Sequence, residues 1–178
     1  MGNLHEHDWR DLAQQQYLAS AQAGYICLAC DAEDDWCHLV GMLARQWLAC
    51  PATKPPKVVL MIHTCRSGHA HSWNLAWHYL SQLPGLETRA RVEATSAGLL
   101  LFLAGERRIA HPEVRFGFHG KIYLPWFGAL GNEPRAEWFA SRTNMPYEWW
   151  LEKAEYAGVT EFGAAEALAW GVATEVAE

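Results

Sequence analysis

The chain has 178 residues and a formal net charge of −6, with 51% apolar and 19% charged residues. At that size about two-thirds of the unfolded surface is buried without staples, so one ordinary core is expected rather than a disordered tail or a disulfide framework. Most of the excess acid falls after Gly120 and no basic stripe is present, which argues against nucleic acid as the main partner.

No apolar run reaches the ~18 residues that cross a bilayer. Met1 to Gln16 is polar and mixed in charge, unlike a signal peptide. The five cysteines, Cys27, Cys30, Cys37, Cys50 and Cys65, are an odd number in a chain too large to need bridges, so a reducing cytoplasm is the expected compartment.

Residues 1–23 are expected to form an arm or first helix, with Asp11 to Ala23 rich in Ala and Gln, and residues 24–178 a single domain. Gly24 to Cys30 (GYICLAC) reads as a short buried strand. Trp36, Leu39, Val40, Leu43 and Trp47 then recur at helical spacing behind an acidic N-terminus. Cys50 to Pro56 holds three prolines and must be a loop. Val58 to His63 (VVLMIH) is the continuous apolar run of a strand covered on both faces.

A turn at Thr64 to Gly68 leads to a helix near His71 to Leu83, closed by Pro84-Gly85, and Thr88 to Glu93 resembles a short strand. Ala97 to Ala104 (AGLLLFLA) is apolar on every side, a buried helix ending at Gly105. Ile109-Ala110 and Arg115 to His119 are extended pieces around Pro112. Lys121 to Pro146 is rich in Gly, Pro and aromatics, and helices over Tyr147 to Ala157 and Ala164 to Trp170 follow. Strands alternating with helices predict an α/β fold with a mostly parallel sheet and flanking helices.

Ser96 stands where a strand gives way to that buried helix, among small neighbours. A hydroxyl there meets free backbone N–H groups, which is what the oxyanion of an acyl-transfer nucleophile needs. The plainer role is an N-cap, for Ser96 or for Thr95. His119 closes an aromatic strand and carries the side chain best suited to proton transfer near neutral pH; a packed core histidine is the plainer role. His111 precedes Pro112 and falls on the connection.

EATSAGLLLFLAGERRIAHPEVRFGFHG resembles the core of the Clp protease proteolytic subunit, in the clan that also holds signal peptide peptidase A and the crotonases. In that family the nucleophilic Ser opens a buried helix ending in Ala-Gly, matched here by Ala104 and Gly105. A basic segment, a Pro and a strand ending in the catalytic His follow, matched by Arg107-Arg108, Pro112 and Arg115 to His119. VVLMIHTCRSG is similar to the family's strand and Ser-Pro-Gly-Gly turn, and EFGAAEALAWGVATEV to its closing segment. The resemblance covers about Gly24 to Val176 and is nearest to the uncharacterised Clp-like proteins of bacteria.

The resemblance implies a crotonase-clan, Clp-protease-like fold and a serine peptidase with Ser96 as nucleophile and His119 as general base. Backbone donors for the oxyanion would come from Ala97 and from Ser67, or from Gly68 after a one-residue shift. The family's orienting Asp falls on Val159, so Glu161 is the first substitute and Glu155 the second. The resemblance further implies a peptide or protein substrate, a homo-oligomer and an ATPase partner, with no metal or organic cofactor. The 40-residue stretch from His119 to Val159 is shorter than the family's handle region, so the resemblance implies an assembly smaller than a stacked double ring. Two other roles stay open: a non-catalytic member serving as an oligomeric scaffold, and an acyl-CoA-binding enzyme of crotonase type.

Cys27 and Cys30 form a CxxC, with Cys37-His38, His63, Cys65, His69 and His71 further on. On a strand, i and i+3 point to opposite faces, so zinc is not expected, and redox chemistry wants the motif at a helix N-terminus. Trp36, Trp47, Trp73 and Trp77 fall at core spacing. Trp126-Phe127 and Trp149-Trp150 are expected at a groove or, preferentially, a subunit contact.

Overall fold

The computed structural model describes residues 15–29, 34–66, 70–119, 132–156 and 158–178. Helix α1 covers residues 15–22 and leads into strand β1 (Tyr25–Leu28), helix α2 (Asp34–Ala49) and a 3-10 turn at Pro51–Thr53. Then come β2 (Val58–Cys65), α3 (Ala70–Leu80), β3 (Leu86–Thr95), α4 (Ala97–Leu103), β4 (Arg107–Ala110) and β5 (Arg115–His119). The chain ends with α5 (Asn132–Arg142), α6 (Tyr147–Glu155), β6 (Val159–Gly163), α7 (Ala164–Ala169) and β7 (Glu175–Val176).

The sheet runs β1-β2-β3-β4-β7 with every pair parallel. Strand β3 is ten residues long and forks. Its first half, Glu87 to Ala90, pairs with β4, and its second half, Glu93 to Thr95, pairs with β5. Between the halves the register on β2 slips from Ile62↔Ala90 to Thr64↔Glu93, one extra residue on β3. Such a bulge twists and re-aims a strand, here toward Ser96. β6 then closes on β5 in antiparallel register.

Alternation along β3 sorts the two faces of the sheet. Thr88 faces the helices, where its hydroxyl donates to the Phe102 carbonyl at 2.6 Å. Glu87 points the other way and is buried among Lys57, Arg89 and Arg107, while Arg107 also grips Glu175. A parallel sheet ordinarily buries both faces under apolar cover. The far face of this one is crossed by charges that compensate one another.

Helix α4 lies wholly inside the core, every residue from Ala97 to Leu103 buried, as its unbroken apolar sequence requires. Phe102 packs on Phe116, and Phe116 stacks on Phe162 of β6 at 5.4 Å. On the same face of β5, Phe118 meets Phe139 and Trp150 at 5.0 and 5.3 Å. The hairpin of α5 and α6 thus grips the outer end of β5. The Trp150 indole N–H, fully enclosed, donates to the Thr143 hydroxyl at 2.8 Å.

Several expectations are corrected. Trp150 is a core residue and not a subunit contact, and Trp149 packs between Trp150 and Trp170. Their adjacency hid this, since consecutive helical residues can both be sheltered when the helix is flanked on two sides. Trp126-Phe127 lies outside the described residues. Within Lys121 to Pro146 the sequence suggested no regular structure, yet α5 forms there, because its buried Ala136 and Phe139 dock on the aromatic cluster. Cys37 and Cys65 are buried, whereas Cys27 and Cys50 are exposed. Among the described residues no helix is long and apolar enough to cross a membrane.

Candidate functional site

Ser96 links β3 to α4 in a backbone conformation that L residues avoid, φ 55° and ψ −113°. Among the described residues it is the only non-glycine with positive φ. Such strain costs about 1–3 kcal/mol and persists only where the surroundings impose it. Here the Ser96 N–H donates to the Gly117 carbonyl at 2.9 Å, and its own carbonyl accepts from Leu100 at 3.2 Å. The hydroxyl makes no capping bond, so the plainer role of N-cap is not what this side chain performs. A strained strand-to-helix turn is also how nucleophilic serines are held up from a sheet.

Two glycines make room for that turn. A Cβ on Gly98 would lie 2.5 Å from the Cys65 carbonyl oxygen, so glycine lets the first turn of α4 rest on the end of β2. A Cβ on Gly117 would lie 2.7 Å from the Thr95 methyl, so glycine lets Thr95 lie across β5. The N–H groups of Ala97 and Gly98 find no acceptor among the described residues. Ser67 and Gly68, the other oxyanion candidates, lie outside the described residues; β2 ends beside α4 immediately before them.

His119 is the last residue of β5 and half-buried. The Thr95↔Gly117 pairing, with the Ser96 N–H on Gly117, sets Ser96 beside Phe118 and one residue short of His119. The two candidates are therefore separated by one strand spacing, ~4.8 Å, and one strand step, ~3.3 Å. Both stand at the C-terminal ends of parallel strands, where open α/β sheets present ligands. Phe118 is buried in the aromatic cluster, so strand alternation turns His119 to the opposite face, with Gly117 and Arg115.

Across the β5–β6 ladder, His119 faces Val159 and Gly117 faces Glu161. Residues opposite one another share a face, so Val159 and Glu161 lie on the side of His119. Glu161 is exposed and bonds to nothing among the described residues, and the imidazole of His119 likewise has no hydrogen-bond partner among them. Glu155 is exposed near the end of α6, away from this ladder.

The sequence reading missed Glu93. Its carboxylate accepts from Arg66 at 2.8 Å and Arg115 at 3.4 Å, and Thr95 approaches it at 3.4 Å. This cluster ties together the ends of β2 and β3 and the start of β5, three segments that converge on Ser96. Its only trace in the sequence is an acid in a strand three residues before Ser96.

The far end of α4 is held differently. Arg142 donates to the carbonyls of Leu103, Ala104 and Gly105 at 3.1, 2.8 and 3.0 Å. The buried Arg108 donates to Gly105, Val172, Arg142 and Gly171 at 2.7–2.9 Å. Burial first, and the neighbouring Arg142 charge second, pull Arg108 down to about 10, still protonated at neutral pH. The basic pair Arg107-Arg108 thus divides, one side chain to the charged face and the other into the core.

By sequence, no protein-family model and no curated protein matches the chain. By structure it is similar to ClpP1 from Listeria monocytogenes, with a TM-score of 0.68 and 18% identity over 93% of this chain and 96% of that one. A single-site mutant of the same protein gives a TM-score of 0.72 and 16% identity with the same coverage. The chain therefore has a Clp-protease-like fold, an α/β architecture with a mostly parallel sheet flanked by helices.

Proposed function

We propose that this Clp-protease-like chain is a serine peptidase in which Ser96 attacks the carbonyl of a peptide bond and His119 acts as general base. The observation that carries the proposal is the backbone of Ser96, strained at φ 55° with an uncapped hydroxyl, one residue out of step with a strand that ends in His119. In the reaction His119 takes the hydroxyl proton and returns it to the leaving amine, and water then releases the acyl group from Ser96. The Ala97 N–H, with a backbone donor from Ser67 or Gly68, would stabilise the oxyanion. Glu161 is the only carboxylate of the β5–β6 ladder; it lies on the face of His119 but opposite Gly117, and makes no bond to the imidazole. A homo-oligomer, a cytoplasmic setting and an ATPase that feeds substrate are part of the same proposal.

A second role, a non-catalytic scaffold, is favoured by one observation: Val159 stands opposite His119 where a carboxylate would orient the ring. A fluorophosphonate probe separates the two. Labelling of the wild type that disappears in Ser96→Ala supports catalysis, and absence of labelling in every oligomeric state supports the scaffold.

A further inference from the structure

An amide-cleaving Ser–His pair ordinarily relies on a carboxylate that fixes the imidazole tautomer and stabilises the imidazolium, and disabling that partner costs about 10⁴ in turnover. Directly across the ladder from His119 stands the isopropyl group of Val159, 40% exposed and unable to accept a hydrogen bond. The only carboxylate of this ladder, Glu161, lies diagonally away opposite Gly117 and bonds to nothing among the described residues. Glu93, on the adjoining strand, is already held by Arg66 and Arg115. Among the described residues the imidazole therefore has no fixed partner.

Resting on Ser96 and His119 as the reacting pair, we infer that Val159 is a specificity-determining residue. It restricts the site to acyl donors with good leaving groups, activated esters in particular, and makes peptide amides slow substrates. The chemistry divides at the leaving group. In either case Oγ of Ser96 bonds to the carbonyl carbon, its proton passes to the imidazole, and a tetrahedral oxyanion forms. An activated ester then expels its oxygen with the C–O electron pair and needs no proton; the imidazolium gives its proton to solvent. An amide nitrogen leaves only on receiving that proton, so C–N cleavage waits on a correctly oriented imidazolium. Water closes both routes by attacking the acyl carbon, losing a proton to the imidazole and releasing the acid and Ser96. Both routes need the ring as base, but only the amide route needs it again as an oriented acid, so the amide suffers more from a loosely held ring.

The test compares kcat/KM for a p-nitrophenyl ester and a p-nitroanilide bearing the same acyl-peptide group, using the full chain as wild type, Ser96→Ala, Val159→Asp, Val159→Glu and Val159→Asn. The expected result is Ser96-dependent ester turnover, with the amide rising roughly tenfold or more in the acidic variants, the ester rising clearly less, and Asn leaving the ratio as it was. Because Val159 is partly exposed, both acidic variants should fold, which circular dichroism checks. An unchanged ester-to-amide ratio in the folded acidic variants overturns the inference. So does a wild type that cleaves both substrates with similar kcat/KM, a result that needs no variant. Turnover that survives Ser96→Ala, or no ester turnover at all, overturns instead the assignment of the Ser96–His119 pair.

Discussion

The two ends of α4 are built on opposite plans. At the C-terminal end, three carbonyls that a helix leaves unpaired are taken up by two guanidinium groups, and Arg108 goes on to hold the chain before β7. At the N-terminal end the backbone is strained, two N–H groups have no acceptor among the described residues, and the Ser96 hydroxyl caps nothing. A reactive group stays in an unfavourable conformation only if the element carrying it cannot relax. The saturated end supplies that rigidity, and the unsatisfied end uses it.

Removing the anchor should produce the largest change. Arg108→Met keeps the aliphatic stem but strips donors from the carbonyls of Gly105, Val172, Arg142 and Gly171, three of which have no other donor among the described residues. A loss of about 3–4 kcal/mol is expected in urea unfolding. A change under about 1 kcal/mol would mean that water replaces the guanidinium and that the two ends do not differ as described.

Relaxing the other end should act in the opposite direction. Ser96→Gly removes the Cβ penalty at φ 55° and should raise stability by about 1 kcal/mol while abolishing fluorophosphonate labelling. A lower unfolding midpoint would show that the turn stores no strain.

The smallest expected effect distinguishes Arg107 from Arg108. Burial tends to raise the Glu87 carboxyl, but hydrogen bonds and charges from Arg89 and Lys57 outweigh it and hold the group below 4.5. The hydrogen bond from Arg107 likewise holds Glu175 below 4.5. A depressed carboxylate contributes stability that is complete above its unfolded value and is lost as pH falls through the folded one. The unfolding midpoint should therefore drop as the pH is taken below about 4.5, and Glu87→Gln should flatten that drop. The grip of Arg108 on carbonyls, which do not titrate in this range, should contribute nothing to the slope.

Much of this was legible in the chain itself, for reasons of period and composition. An unbroken apolar octet after Ser96 has no polar side to give solvent, so α4 had to be interior. VVLMIH read as a covered strand and β2 forms there, though it runs on to Cys65 and leaves His63 exposed, and RFGFH ended in an exposable His. Helix α5 escaped because its polar surface and glycine-rich approach conceal the two residues, Ala136 and Phe139, that the aromatic cluster selects. Strand β6 escaped because VTEFG is too short to declare itself without β5 beside it.

Local sequence thus determined most of the elements and the residue types placed at positions 96 and 119, since periodicity and residue type act over a few residues at a time. Tertiary structure alone decided how they meet. The bulge in β3, the close approaches at Gly98 and Gly117, the partition of Arg107 from Arg108, and the register that sets Val159 against His119 all join segments up to 68 residues apart. Contacts of that range are fixed by packing and ladder register, and neither leaves a periodic mark on the chain.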